Sequence, residues 1–294
     1  MAALPNYPNG FAMLLFVDNL TNVDFSFLDP LRGLLGETWL ANVRLLGELD
    51  EQGMVCDFGT VKKITRKWLD DELDHRLAVP VRSPNIRITE DGNYITIEWK
   101  FGARGEFIST RSPRDAIALV DAEVLTPETV AAWCITQLKQ HFPVSVRLEL
   151  DFTSEPIDGA YYHYSHGLKK HLGNCQRIAH GHKSRIDIWA NGKKSPLLEQ
   201  HWADEWEDIY IGTREDIVGK PQFDDIDYYR FAYDAQQGPF EITLPQRCCY
   251  LIDTDSTVEF IAWHIAHKTR QANPETFIRV KAYEGIGKGA IAEA

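Results

Sequence analysis

Positive charge is the scarcer sign in this chain: 31 Lys and Arg stand against 43 Asp and Glu, a formal net charge of -12. That balance excludes binding along a nucleic-acid phosphate backbone as the main task, because a protein that neutralises phosphates needs a basic face. Cysteine is scarce too, five in 294 residues, odd in number and without framework spacing. A disulfide-stapled secreted scaffold is thereby excluded, and a reducing compartment, the cytoplasm, is expected. Long apolar runs are missing. The run from Phe11 to Val17 is too short to span a bilayer, and Met1 to Gly10 has no basic leader region, so no membrane partner is expected. What is present is ample apolar material, 44% hydrophobic and 11% aromatic, over a length that suits one large domain or two ordinary ones.

The chain states one pattern twice. Thr126 to Trp133 and Thr257 to Trp263 each open on a capping hydroxyl, place a Glu two residues later (Glu128, Glu259), and continue with apolar residues at helical spacing. Each helix leads to an alternating strand, Val144 to Leu150 and Phe277 to Tyr283. Each is preceded by a hairpin, Tyr94 to Ser109 and Tyr228 to Thr243, and then by a short apolar run ending in Asp121 or Asp253. Four elements in one order predict an internal duplication. A strand over Trp39 to Leu49, with Gly181 to Ala190 as its counterpart, and a helix from Phe58 capped by Asp57 complete the pattern. The expected architecture is α+β, with antiparallel sheets and paired helices on one face. The units are placed at 1–158 and 159–294. Gly159 to Tyr162 can close the first unit, while Tyr162 to Leu168 can equally open the second. Residues 197–227, rich in Asp, Glu and Trp, match nothing in the first unit and are expected to be an acidic insertion over the surface.

Six of the ten histidines lie between His163 and His201. His180 and His182, one residue apart on an extended strand, point to one side, because side chains alternate along a strand. They can share one ion, with Gly181 letting the backbone pass close and His166 on a preceding strand as the natural third ligand. Three imidazoles leave a fourth position open, the catalytic form of a zinc site. Against this stands the bland reading, histidine as an ordinary polar residue; His163 and His171 are its best examples. Taken alone, Asp74-His75 reads as a helix end and Cys175 as a buried thiol.

Together these residues resemble the 6-pyruvoyl- and 6-carboxy-tetrahydropterin synthases. That family carries F-S-A-x-H-x-L, a cysteine and H-G-H, which residues 162–168, Cys175 and His180-Gly181-His182 match. Its G-E-x-D, G-M-[VI]-x-[DN]-[FL] and L-D-H segments appear at 47–50, 53–58 and 73–75, and its V-K-x-Y-E strand at 280–284. The resemblance implies two tandem T-fold (tunnelling fold) units, with Leu150 at the place of Glu284 in the first. It implies a homo-oligomer with sites between units, and zinc-dependent lyase chemistry on a pterin, dihydroneopterin triphosphate. His166, His180 and His182 are the implied ligands and Cys175 the implied base. Asp74 and His75 are implied to relay protons, and Glu284 to anchor the ring, with Glu128 and Glu259 as weaker candidates. Leu35-Gly36-Glu37 stands where the first unit would need H-G-H, so one metal per chain is expected. A pterin- or purine-binding protein without chemistry is the alternative, and a structural metal-binding protein a third reading.

Overall fold

The computed structural model describes residues 12–294, so the reading of Met1 to Gly10 lies outside the described residues. The first half runs β1 (Ala12–Asp29), β2 (Gly33–Glu48), α1 (Phe58–Glu72), β3 (Leu77–Pro80), β4 (Ile86–Asp91), β5 (Tyr94–Phe101), β6 (Glu106–Pro113), β7 (Ile117–Val120), α2 (Pro127–Leu138) and β8 (Arg147–Ser154). The second begins with β9 (Tyr161–His166), β10 (His180–Ala190), β11 (Lys193–Lys194), α3 (Pro196–Glu205) and β12 (Ile209–Thr213). It continues with β13 (Ile217–Gly219), β14 (Gln222–Phe223), β15 (Ile226–Ala235), β16 (Gly238–Pro245) and β17 (Cys249–Ile252), and ends with α4 (Val258–Ala272), β18 (Ile278–Tyr283) and β19 (Gly289–Glu293).

The helices start where hydroxyl and carboxyl caps predict. The Asp57 side chain accepts from the Thr60 N–H, and Thr126 exchanges bonds with Thr129 ahead of Pro127. The partner in that capping box is Thr129; Glu128 is exposed in the first turn. In the β1–β2 turn the Asp29 carboxylate accepts the Leu31 and Arg32 N–H groups, and Gly33 takes a φ of 89° that other residues avoid.

The strand order β7-β3-β1-β2-β8 of the first half recurs as β17-β12-β9-β10-β18 in the second. Helices α1 and α2 cover one face of the first sheet around Phe25, Trp39, Leu69 and Leu138. Helices α3 and α4 cover the second around Tyr162, Ile188, Trp206 and Ile265. The result is a mixed α+β fold with a repeated sheet-and-helix arrangement. Both sheets are mixed rather than antiparallel, which corrects the sequence expectation: β1–β3, β3–β7, β9–β12 and β12–β17 are parallel pairs. The crossover through α1 or α3 returns the chain in the direction of the strand before last, and only a parallel pairing can follow. The two long hairpins, β5–β6 and β15–β16, join at β6 and β16 into one further sheet over a core of Trp99, Phe101, Phe231 and Phe240.

Residues 197–227 are not a surface insertion. They supply α3 and β12, the counterparts of α1 and β3, and Trp202 and Trp206 are buried in the second core. The spacing of four between those tryptophans is a helical core face, obscured by the acidic residues on the other side. None of the helices among the described residues is long and apolar enough to cross a membrane.

The two sheets meet at equivalent glycines. A Cβ on Gly36 would fall 1.8 Å from the Tyr164 carbonyl oxygen, and one on Gly181 would fall 2.6 Å from the Gly36 Cα. Beside them the Ser26 and Ser165 hydroxyls bond at 2.7 Å. Any side chain at either glycine would force the halves apart.

Candidate metal centre

Matching Gly36 with Gly181 aligns the strands residue by residue. His180 falls at the place of Leu35, His182 at Glu37 and His166 at Phe27, since His180 pairs with His166 and Leu35 with Phe27. The same register, extended by two residues, puts Glu284 across from Ser184 and makes Ser154 its counterpart in place of Leu150. The loop before β8 is longer than that before β18, so equal spacing from the two helices does not give equivalent strand positions.

His166, His180 and His182 are all fully buried, with ligand atoms within 4.8 Å of one another. His166 Nδ1 lies 3.0 Å from the Ser256 carbonyl oxygen and His180 Nδ1 lies 2.9 Å from that of Arg177, so each can donate its proton there. His182 Nδ1 lies 3.3 Å from the Asp24 carboxylate. That leaves the three Nε2 atoms, and His182 Nδ1 as well, buried without a hydrogen-bond partner. A buried imidazole nitrogen with nothing to bind costs on the order of 1–3 kcal/mol, and three converging on one point fit a cation that accepts their lone pairs. Burial pushes the His166 and His180 pKa well below the usual histidine range, which keeps them neutral and able to ligate.

A second triplet, His75, Cys175 and His180, also lies within 4.8 Å. It differs in protonation. Burial pulls His75 down, but the hydrogen-bonded Asp74 carboxylate and the nearby Cys175 sulfur outweigh it and push its pKa up to about 10. A protonated imidazole holds protons and does not ligate. His75 sits in the turn between α1 and β3 at a φ of 55°, with Nδ1 bonded to the Asp74 carboxylate and its N–H to the Asp24 carbonyl. The structure thus brings Asp74 and His75 from the first half beside Cys175 and the histidines of the second, within one chain. Glu284 reaches the same place, with Oε1 3.8 Å from His182 Nε2.

Other candidates lie elsewhere. Glu128 and Glu259 are exposed in the first turns of α2 and α4, and no hydrogen bond or ion pair joins either to the cluster. His171 is exposed, and His163 points to the opposite face of β9, where its Nδ1 lies 2.8 Å from the Gly36 carbonyl. Asp24, Thr38 and Ser256 escaped the sequence reading. Of these only Asp24 left a trace, as a lone carboxylate between apolar residues in a strand.

Residues 29–153 match the family described as 6-pyruvoyl tetrahydropterin synthase. Over that stretch the sequence is homologous to the 6-pyruvoyl tetrahydropterin synthase family. The match falls on the half that carries Asp74 and His75 and none of the three cluster histidines. A protein of Pyrococcus horikoshii described as a putative 6-carboxy-5,6,7,8-tetrahydropterin synthase is 33% identical over 98 residues, 33% of this chain and 53% of that protein. The chain therefore spans about half the length of that curated relative. Among solved structures, the 6-pyruvoyltetrahydropterin synthase of Plasmodium vivax is 21% identical, with a TM-score of 0.42 over 50% of this chain and 94% of that one. That of Plasmodium falciparum is 16% identical, with a TM-score of 0.39 over 49% and 99%.

The first half keeps the frame of the site and none of its ligands. Glu37, at the place of His182, is pushed up to about 7 by burial, against a bond from the Thr38 N–H that pulls it down. The unfolded carboxyl ionises near 4.5. The folded state therefore holds the proton more tightly, and its contribution to stability is full below pH 4.5 and is lost as pH rises towards 7. Glu37→Gln should remove that loss. The variant should gain on the parent by on the order of 1–3 kcal/mol between pH 4 and pH 8, read from denaturant unfolding at each pH. A difference independent of pH would show that Glu37 ionises as freely as in water.

Proposed function

We propose that this chain is a zinc-dependent lyase that converts dihydroneopterin triphosphate to a 6-pyruvoyl- or 6-carboxy-tetrahydropterin, and that it is built as two tandem T-fold units at 1–158 and 159–294. One observation carries the reading: three orphaned histidine nitrogens of the second half converge beside a cysteine whose sulfur lies within 4.8 Å of a carboxylate-held imidazole of the first. A protein that only binds a pterin needs no such thiol–imidazole–carboxylate chain, and a structural zinc site needs a fourth protein ligand.

His166, His180 and His182 would hold the zinc, which supplies Lewis-acid polarisation of the substrate's side-chain oxygens and makes the neighbouring C–H more acidic. Cys175 would take the proton from that carbon, with the positive charge of His75 beside it. His75 would exchange the proton onward while Asp74 fixes its ring and balances its charge. Glu284 would accept hydrogen bonds from the amino and ring N–H groups of the pterin, a planar pairing that suits a carboxylate. The division of labour is complementary: each unit has lost what the other retains. Assembly into a homo-oligomer through free sheet edges belongs to the same proposal, with the acidic surface arguing against nucleic acid as a partner.

The test is incubation of the zinc-loaded protein with dihydroneopterin triphosphate, with mass analysis of the products. A 6-pyruvoyl or 6-carboxy product is expected. Tight binding with no conversion would replace the lyase by a pterin-binding protein, and neither binding nor conversion would leave only shared ancestry.

A further inference from the structure

Asp24 lies in the half that has no cluster histidines, on β1, and its residue is 1% exposed. A carboxylate so deep needs partners, and it has them on several sides. The Thr38 hydroxyl donates to it at 2.6 Å, the Asn22 amide at 3.3 Å, and Lys288 pairs with it at 3.1 Å. His182 Nδ1 stands 3.3 Å from Oδ1, close enough for an ion pair but without a formed hydrogen bond. Its backbone is engaged as well. The Asp24 N–H donates to Asp74 Oδ1 at 2.8 Å, and its carbonyl accepts the His75 N–H at 2.6 Å.

We propose that Asp24 is a positioning residue for both parts of the site. Its carboxylate holds the Nδ1–H of His182 so that Nε2 faces the ion, while its backbone sets the Asp74-His75 turn against Cys175. The inference rests on the metal reading given above. A ligating histidine is oriented by what its other nitrogen binds, and a carboxylate there also makes it a stronger ligand. His166 and His180 rest on carbonyl oxygens; His182 alone rests on a charge.

A purely structural role for Asp24 has to be weighed, because the equivalent crossing also holds a polar pair, His163 with Glu37 at 3.8 Å. That pair differs where it counts. The His163 Nδ1 is taken by the Gly36 carbonyl, and its neighbours at the ligand places are Phe27 and Leu35, so nothing gathers there for an ion. Lys288 does not explain Asp24 either. An ammonium that is half exposed could be paired at the surface without burying a carboxylate.

Asp24→Asn keeps the shape and both backbone bonds, removes the charge and replaces one acceptor oxygen by an NH2 donor. Zinc affinity of the full-length protein, measured by competition with a chelating dye, is expected to weaken about 10–100-fold. In the zinc-loaded parent, 15N NMR of the histidine rings should show His182 protonated at Nδ1 and bound through Nε2; in the variant the orienting bond is weaker and ring exchange should appear. A role in packing alone would move neither readout. An unchanged affinity in the folded variant, or coordination of the parent's His182 through Nδ1, would overturn the role of Asp24 and leave the metal reading standing. Failure of the parent to bind zinc would overturn both. The NMR arm uses the parent protein, so it decides the matter even if the variant does not fold.

Discussion

Cys175→Ala is expected to lower turnover of dihydroneopterin triphosphate by about 10²–10⁴-fold, the range over which a positioned base or acid acts, while the protein keeps about one zinc per chain. The two readouts separate because the Sγ and the three Nε2 atoms belong to different triplets that share only His180. His75 is pushed up to about 10 in part by the neighbouring Cys175 sulfur, so the variant also takes away one of the groups that favour the His75 proton. Its zinc should stay, because His166 and His180 are hydrogen-bonded to the Ser256 and Arg177 carbonyls and His182 stands against Asp24, none of them against the thiol alone. Undiminished turnover would remove Cys175 from the mechanism. Loss of zinc together with turnover would make the thiol a ligand, and two zinc ions per chain would contradict the loss of ligands at Phe27, Leu35 and Glu37.

The second large effect concerns where the site is completed. Mixing His75→Ala chains with Cys175→Ala chains should restore no activity, although each variant carries the residue the other lacks. In an assembly whose sites combine residues of different chains, such mixing would rebuild intact sites. Here His75 reaches Cys175 and His180 within one chain, with its ring 5.1 Å from that of His180. The turn that carries His75 is tied to Asp24 of the same chain by one backbone–backbone bond and by one bond from the Asp24 N–H to the Asp74 carboxylate. Each mixed particle would therefore contain sites lacking one or the other residue and none with both. Activity rising towards one quarter of the parent's after mixing and reassembly would show that the dyad works on a neighbouring chain.

Much of the site was legible because its chemistry is local in sequence. The H-x-H pair reads directly from strand alternation, the cysteine lies in the same stretch, and the L-D-H triplet ends a helix that its own cap announces. The hairpins, both helix starts after Thr126 and Thr257, and the duplication were legible for the same reason: each is set by near neighbours and by periodicity. The misreadings have a common cause. Residues 197–227 look like a surface segment when their charges are counted, and only packing shows that Trp202 and Trp206 carry the face that matters. The antiparallel expectation failed because strand direction depends on where a crossover lands. Glu128 and Glu259 repeat faithfully in sequence but stay in exposed first turns, where a carboxylate is favoured by the helix end whatever else it does.

By itself the sequence determined the inventory: three histidines able to share an ion, a nearby thiol, an Asp-His pair in the other repeat, and no histidines where the first repeat would need them. Tertiary structure alone decided that these parts meet in one chain, and that Asp24 stands between them. The reason is physical. Alternation and helical periodicity act over a few residues, whereas the contact of Gly36 with Gly181 joins strands about 145 positions apart, and no local rule carries the register across that gap.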